Sequence, residues 1–339
     1  MRNNLYIHTT IPYLGALMCS LAAALAISGC ADNVHAPIHP PPKVVELHDT
    51  VPMSVDYETG DFSQWAVEGR PNRVIIPPPL NHPDDNLTIV TSDKTLRNVE
   101  HGPVREGKYA AKVVVHSGDD PYKVRDGHVH SERMQIGGTQ QQAAAFEGSE
   151  QWYAWSIYFP QNFNPDPKGW NNLVQWHHTP NGKDDPCEKV GPANIGFNVT
   201  YYAKNNESIW ERGYMSFGSH GSADPECAPA NMTTSGMLPL MNPKTTHLRP
   251  NHWYDFVFHV KWSGDPAQGF FEVWLDGNKV IPLTHASTLY AGHSANMGIG
   301  LYRGLSTVDS SNPSHDFVST LYIDAIKRGN SYEAVSLRR

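Results

Sequence analysis

Gln151-Trp152-Tyr153-Ala154-Trp155-Ser156-Ile157-Tyr158-Phe159 alternates side by side: Tyr153, Trp155, Ile157 and Phe159 share one face, and Trp152, Ala154, Ser156 and Tyr158 share the other. A period of two over nine residues marks a β-strand, because successive side chains leave a strand in opposite directions. The stretch from His252 to Trp262 repeats the pattern with Tyr254, Phe256, Phe258, Val260 and Trp262 on the apolar side. A third stretch, Phe270 to Leu275, meets Asp276-Gly277 and then Lys279 to Leu283. Asp-Gly between two such runs predicts a tight hairpin, since Gly supplies the positive φ that the turn requires. Further strands are expected at Tyr109–His116, Asn172–His178, Asn194–Tyr202, Ala295–Arg303 and Val318–Lys327. No helical stripe interrupts them, so the chain reads as all-β, a sandwich or jelly roll in one domain over residues 51–335 with a short tail at 336–339.

The rest of the sequence sets limits on partners and location. The 339 residues carry 26 Lys+Arg against 34 Asp+Glu, a formal charge of -8, which argues against nucleic acid or a polybasic membrane contact. An anionic ligand therefore needs a few placed donors. Arg2 precedes an apolar run from Ile11 to Ile27 that ends in Ala26-Ile27-Ser28-Gly29-Cys30. The run has signal-peptide length and is short for a membrane span. Its end resembles the lipobox of bacterial lipoproteins. The resemblance implies that residues 1–29 are a signal peptide, that Cys30 is lipidated, and that the Pro-rich residues 30–50 form a tether. The protein is then exported and lipid-anchored in the bacterial cell envelope, with no other membrane contact. Cys187 and Cys227 remain as a candidate disulfide in an oxidising compartment, a metal-bound pair being the other reading.

Three short motifs carry the polar chemistry: Glu132-Arg133-Met134-Gln135-Ile136, Gln175-Trp176-His177 and Gly298-Ile299-Gly300-Leu301-Tyr302-Arg303. Alternation puts Arg133 with Gln135, Gln175 with His177, and Gly298 and Gly300 with Tyr302. It turns Arg303 to the opposite face and separates His178 from His177, so those two histidines are not expected to hold one metal. If the three strands share a sheet, an Arg, two amides, an imidazole and a phenol surround a patch that two glycines leave open. That inventory suits a carboxylate-bearing sugar. Trp170, Trp176 and Trp210 are available to stack on sugar rings.

These motifs resemble those of the jelly-roll polysaccharide lyases, which line a concave groove with an Arg strand, a Gln-x-His strand and a Gly-x-Tyr strand. Asp56 to Phe62, Trp155 to Pro160 and Tyr322-Ile323-Asp324 are similar to the heparin lyase I-like family, which includes glucuronan lyases and has a concanavalin A-like fold. The motifs are shared in outline with alginate lyases. The resemblance implies β-elimination on a uronate-containing glycan, with Gln175 and Arg133 neutralising the carboxylate, His177 as base and Tyr302 as acid. Gln135, Trp170, Trp176, Gly298 and Gly300 would then bind substrate. Where alginate lyases typically carry Glu and Lys, this chain has Gln135 and Gly298, which favours a plain polyuronate such as glucuronan over a sulfated chain. No cofactor is needed for that chemistry and a monomer is expected. Glu58 and Asp324 are candidate ligands of a structural Ca²⁺, with turn and ladder roles as the other reading. His128 and His130 could share a face near Glu132, with exposed loop histidines as the other reading. The rival class is a non-catalytic glycan-binding surface lipoprotein. A glycoside hydrolase is disfavoured because the tight Glu-x-Asp-x-x-Glu strand of jelly-roll glucanases is absent.

Overall fold

The computed structural model describes residues 52–65, 85–117, 119, 131–137, 144–165, 171–190, 193–201, 207–304 and 318–337. The signal, Cys30, the tether, the His128–His130 pair and Trp170 lie outside them.

Two sheets pack face to face. The first runs β15 (Asn278–His285), β14 (Phe270–Leu275), β13 (His252–Lys261), β7 (Glu150–Phe159), β17 (Ser319–Gly329), β4 (Tyr109–Val115), β2 (Leu87–Thr91) and β3 (Glu100–His101), with β1 (Met53–Val55) also on β17. The second runs β11 (Thr233–Thr234), β10 (Tyr214–Gly221), β9 (Ile195–Thr200), β8 (Asn171–His178), β16 (Ala295–Gly304) and β5 (Ser131–Gly137), with β12 (Leu238–Pro239) on β10 and β6 (Ala144–Ala145) on β16. Pairing is antiparallel except between β2 and β3. Asp276 (φ 51) and Gly277 (φ 78) make the expected hairpin turn between β14 and β15. This is the all-β fold that the alternation predicts, a jelly-roll sandwich. The described helices are single turns too short to leave a periodic stripe, α1 (Pro186–Val190), α2 (Ile209–Arg212) and α3 (Tyr332–Val335).

Aromatic side chains fill the interior. Trp155 of β7 stacks on Phe256 of β13 at 5.3 Å and meets Phe197 of β9 edge-on at 4.8 Å, joining the two sheets. Trp176 lies 4.8 Å from Tyr153 and 5.2 Å from Phe258 and is fully buried. Its assignment to sugar stacking is therefore corrected. Its neighbours Gln175 and His177 face outward, so a period of two sends Trp176 into the sandwich, where a large apolar ring gains most from burial. Trp210 of α2 is half-buried and packs against the same core.

Cys187 and Cys227 are disulfide-bonded, with their Cα atoms 5.1 Å apart. The bond ties α1 to the loop before residues 229–231. The carboxylates of Glu58 and Asp324 take backbone donors from one loop. Glu58 Oε1 accepts from the amides of Lys108 (2.7 Å) and Tyr109 (3.0 Å), and Asp324 Oδ2 from those of Arg105 (2.8 Å) and Glu106 (3.1 Å). Burial pushes the Asp324 carboxyl up to about 7 against the pull of these donors.

Candidate functional site

The outer face of the second sheet is built by register. Ladder partners put Gly137 of β5, Gly298 of β16, Gln175 of β8, Gly196 of β9 and Gly218 of β10 in one row across five strands. Four of the five positions lack a side chain, and Gln175 stands alone in the middle. Inward-facing Met297, Ile299, Val174, Trp176, Ile195 and Phe197 anchor the same strands in the core. The bare strip is therefore a property of the outer face alone, where a flat ligand could approach the backbone.

A polar row flanks the strip on one side. Arg133, Tyr302, Asn172, Asn198 and Ser216 are successive partners from β5 to β10. The Arg133 guanidinium lies over the Tyr302 ring, 3.6 Å from its centroid. Amide side chains connect this row to the strip: Gln175 Nε2 donates to Gln135 Oε1 (3.0 Å), Gln135 Nε2 to Asn172 Oδ1 (3.2 Å), and Asn172 Nδ2 to Asn198 Oδ1 (3.1 Å). Gln175, Gln135 and Asn172 are buried to within 9%, 5% and 5% exposure, and each amide is held by its neighbour.

His177 stands on the opposite side, paired with Asn296. Its ring folds over the next peptide, with Nδ1 3.0 Å from the carbonyl oxygen of His178. In the neutral ring, Nδ1–H donating there leaves the lone pair on Nε2. The fold-over also stacks the rings of His177 and His178, 4.6 Å between centroids. The expectation that alternation separates these two histidines is corrected: it holds for their Cβ directions, but the bond to the following carbonyl brings the rings together at the end of β8. Burial, and then the neighbouring His177 and His293, hold His178 down at about 4, so that it stays neutral. Asn296 lies six strand residues from Tyr302, which puts the His177 and Tyr302 rows at most about 20 Å apart, with Gly298 and Gly300 between.

The remaining assigned residues fall as follows. Gly300 is required by the backbone, because φ is +147° and a Cβ would sit 2.2 Å from the carbonyl oxygen of Met134. Gly298 is not so constrained, since a Cβ there would meet nothing closer than 3.7 Å. Arg303 points inward and pairs with Glu132 at 2.6 Å, as alternation predicts.

Asn172, Asn198 and His220 belong to this face and were not singled out from sequence. Asn198 and His220 had a legible signal, since each alternates with core residues, Phe197 and Val199 for the first and Met215 and Phe217 for Tyr214-x-Ser216-x-Gly218-x-His220. Asn172 had none. A bulge at Leu173 shifts the register between β8 and β9, so residues 172 and 175, three apart, point the same way.

Comparison with known proteins adds the following. A family model described as Polysaccharide lyase matches residues 57–327. No match was found among curated protein sequences. Solved structures similar to this chain include an endo-β-1,4-glucuronan lyase from the fungus Trichoderma reesei (15% identity, 75% of this chain and 91% of that chain, TM-score 0.48). They also include an alginate lyase from Pseudomonas aeruginosa (11%, 66% and 83%, 0.40) and a β-glucanase catalytic domain from Podospora anserina (11%, 67% and 74%, 0.41).

Proposed function

The chain belongs to the polysaccharide lyase family, and from that premise we propose that it cleaves a plain polyuronate of the glucuronan type by β-elimination on the glycine strip. The observation that carries this reading is the position of Gln175, a lone side chain among Gly137, Gly298, Gly196 and Gly218 between the His177 and Tyr302 rows.

The C5 proton of a uronate is hard to remove while the adjacent carboxylate is ionised, because a second negative charge would develop beside the first. Donors fixed in advance against that carboxylate stabilise the enolate-like transition state. Gln175 Nε2 gives one hydrogen to Gln135 and has a second to give to substrate. The chain through Gln135 and Asn172 keeps it aimed. His177 Nε2 takes the C5 proton and Tyr302 protonates the departing O4, bond cleavage completing the C4–C5 double bond. Arg133, over the Tyr302 ring, places positive charge beside the group that becomes anionic as its proton leaves. Arg133 is the one Lys or Arg in the rows named above, which supports a carboxylated chain over a densely sulfated one.

The N-terminal reading fits the same proposal. A polymer too large to cross a membrane must be met outside it, as a protein anchored through Cys30 would do, and the Cys187–Cys227 bond suits an oxidising compartment. The test is to incubate the protein with glucuronan, alginate, heparin, hyaluronan and pectin and follow the ultraviolet absorbance of unsaturated uronate ends. Absorbance growth on glucuronan above the others is expected. Growth on alginate alone would move the substrate to alginate, and silence on all five with retained binding to one would replace the enzyme by a glycan-binding protein.

A further inference from the structure

His178 is a buried imidazole whose two nitrogens make no hydrogen bond. A buried polar group without partners is costly, and such an atom commonly marks a missing ligand. Two other donors face it. Glu188 Oε2 of α1 lies 3.1 Å from His178 Nε2 without hydrogen-bond geometry, and the His177 ring is stacked alongside. One ligand atom from each of His177, His178 and Glu188 lies within 4.8 Å of the others.

We infer that His177, His178 and Glu188 form a binding site for a divalent transition-metal ion of the Zn²⁺ type, and that its occupation withdraws His177 from proton abstraction. Two imidazoles and a carboxylate are a recurrent zinc donor set, and imidazole selects this class of ion over Ca²⁺ or Mg²⁺. Tetrahedral zinc places such donors about 3.4 Å apart, so small movements of the present side chains suffice. A metal lies in the plane of each imidazole that binds it, so the stacked His177 ring must rotate, breaking its bond to the His178 carbonyl. Binding and catalysis then compete for one side chain.

The surroundings support a prearranged site. The Cys187–Cys227 disulfide of α1 packs with Tyr290, whose ring meets His178 edge-on at 4.9 Å, and Asp185, just before α1, is hydrogen-bonded to His293 at 2.7 Å. Glu188 is half exposed and offers a route in from solvent. Asp185, Cys187 and His293 form a second cluster, but its sulfur is committed to the disulfide.

The inhibitory half of this inference rests on the proposed role of His177, whereas the binding half does not. The protein and its Glu188→Gln variant should be titrated with Zn²⁺ by calorimetry and with Co²⁺ by visible absorption, and assayed on polyuronate with and without chelator. The expected result is one ion per chain in the wild type, binding at least roughly tenfold weaker in the variant, and loss of lyase activity with Zn²⁺ that chelator reverses. Glu188→Gln should keep the basal rate and remain active at Zn²⁺ levels that silence the wild type. Equal affinity in both proteins, or no binding, overturns the site. Binding without loss of rate overturns the competition, and if no substrate is turned over the calorimetric comparison still decides the site.

Discussion

The guanidinium of Arg133 rests 3.6 Å from the centre of the Tyr302 ring, across the β5–β16 ladder in which the two residues are direct partners. The contact buttresses one side of the phenol ring. Tyr302→Phe is expected to lower kcat by about 10²- to 10⁴-fold, the usual worth of a general acid or base, with the fold intact. Arg133→Ala should cost less, roughly 2- to 30-fold, as a cation over an aromatic ring contributes about 0.5–2 kcal/mol. His177→Ala should match Tyr302→Phe. Steady-state kinetics on the preferred polyuronate checks all three, and substantial activity left in His177→Ala would give both proton transfers to Tyr302.

The two glycines of β16 should behave differently. Gly300→Ala forces a Cβ to within 2.2 Å of the Met134 carbonyl oxygen at a φ of +147°, so a loss of at least about 2 kcal/mol is expected. Gly298→Ala meets nothing closer than 3.7 Å and should leave stability near wild type while raising KM through the methyl it adds to the strip. Urea denaturation beside kinetics separates the two, and equal destabilisation would refute the assignment.

Trp176→Ala should cost about 3–5 kcal/mol, the usual penalty for emptying a large aromatic site, because Trp176 packs against Tyr153 and Phe258 inside the sandwich. A sugar-stacking residue would instead raise KM and spare stability. Denaturation midpoints and KM values measured on one preparation distinguish the roles.

Much of this architecture is local and so legible in the sequence. Tyr153, Trp155, Ile157 and Phe159 all point inward because a strand has no other way to bury alternate side chains. The same rule puts Gln175 with His177 and turns Arg303 away. What is not local is not legible: which strand lies beside which, and in what register, is decided by contacts far apart in the chain. The strip draws its glycines from 137, 196, 218 and 298 and its one side chain from Gln175, and no short motif contains it. Asn172 was hidden by the bulge at Leu173, and the His177–His178 stack by a side-chain bond that strand geometry does not predict.

The last prediction concerns acid stability around α1. Asp185 is buried, and although desolvation opposes its charge, the amides of Asn181 and Cys187 and the His293 ring together hold its carboxyl down at about 2. A carboxyl depressed in the folded state binds protons more weakly there than in the unfolded chain. Its stabilisation is therefore complete above the ordinary carboxylate range near pH 4 and disappears as pH falls from about 4 to about 2. The depression corresponds to about 2 kcal/mol. Asp185→Asn removes it at every pH, so the gap between wild type and variant in urea denaturation should be about 2 kcal/mol at pH 6, narrow to about half that near pH 3 and close only below about pH 2. A gap as wide at about pH 2 as at pH 6 would mean that the variant loses packing or hydrogen bonds and not the charge.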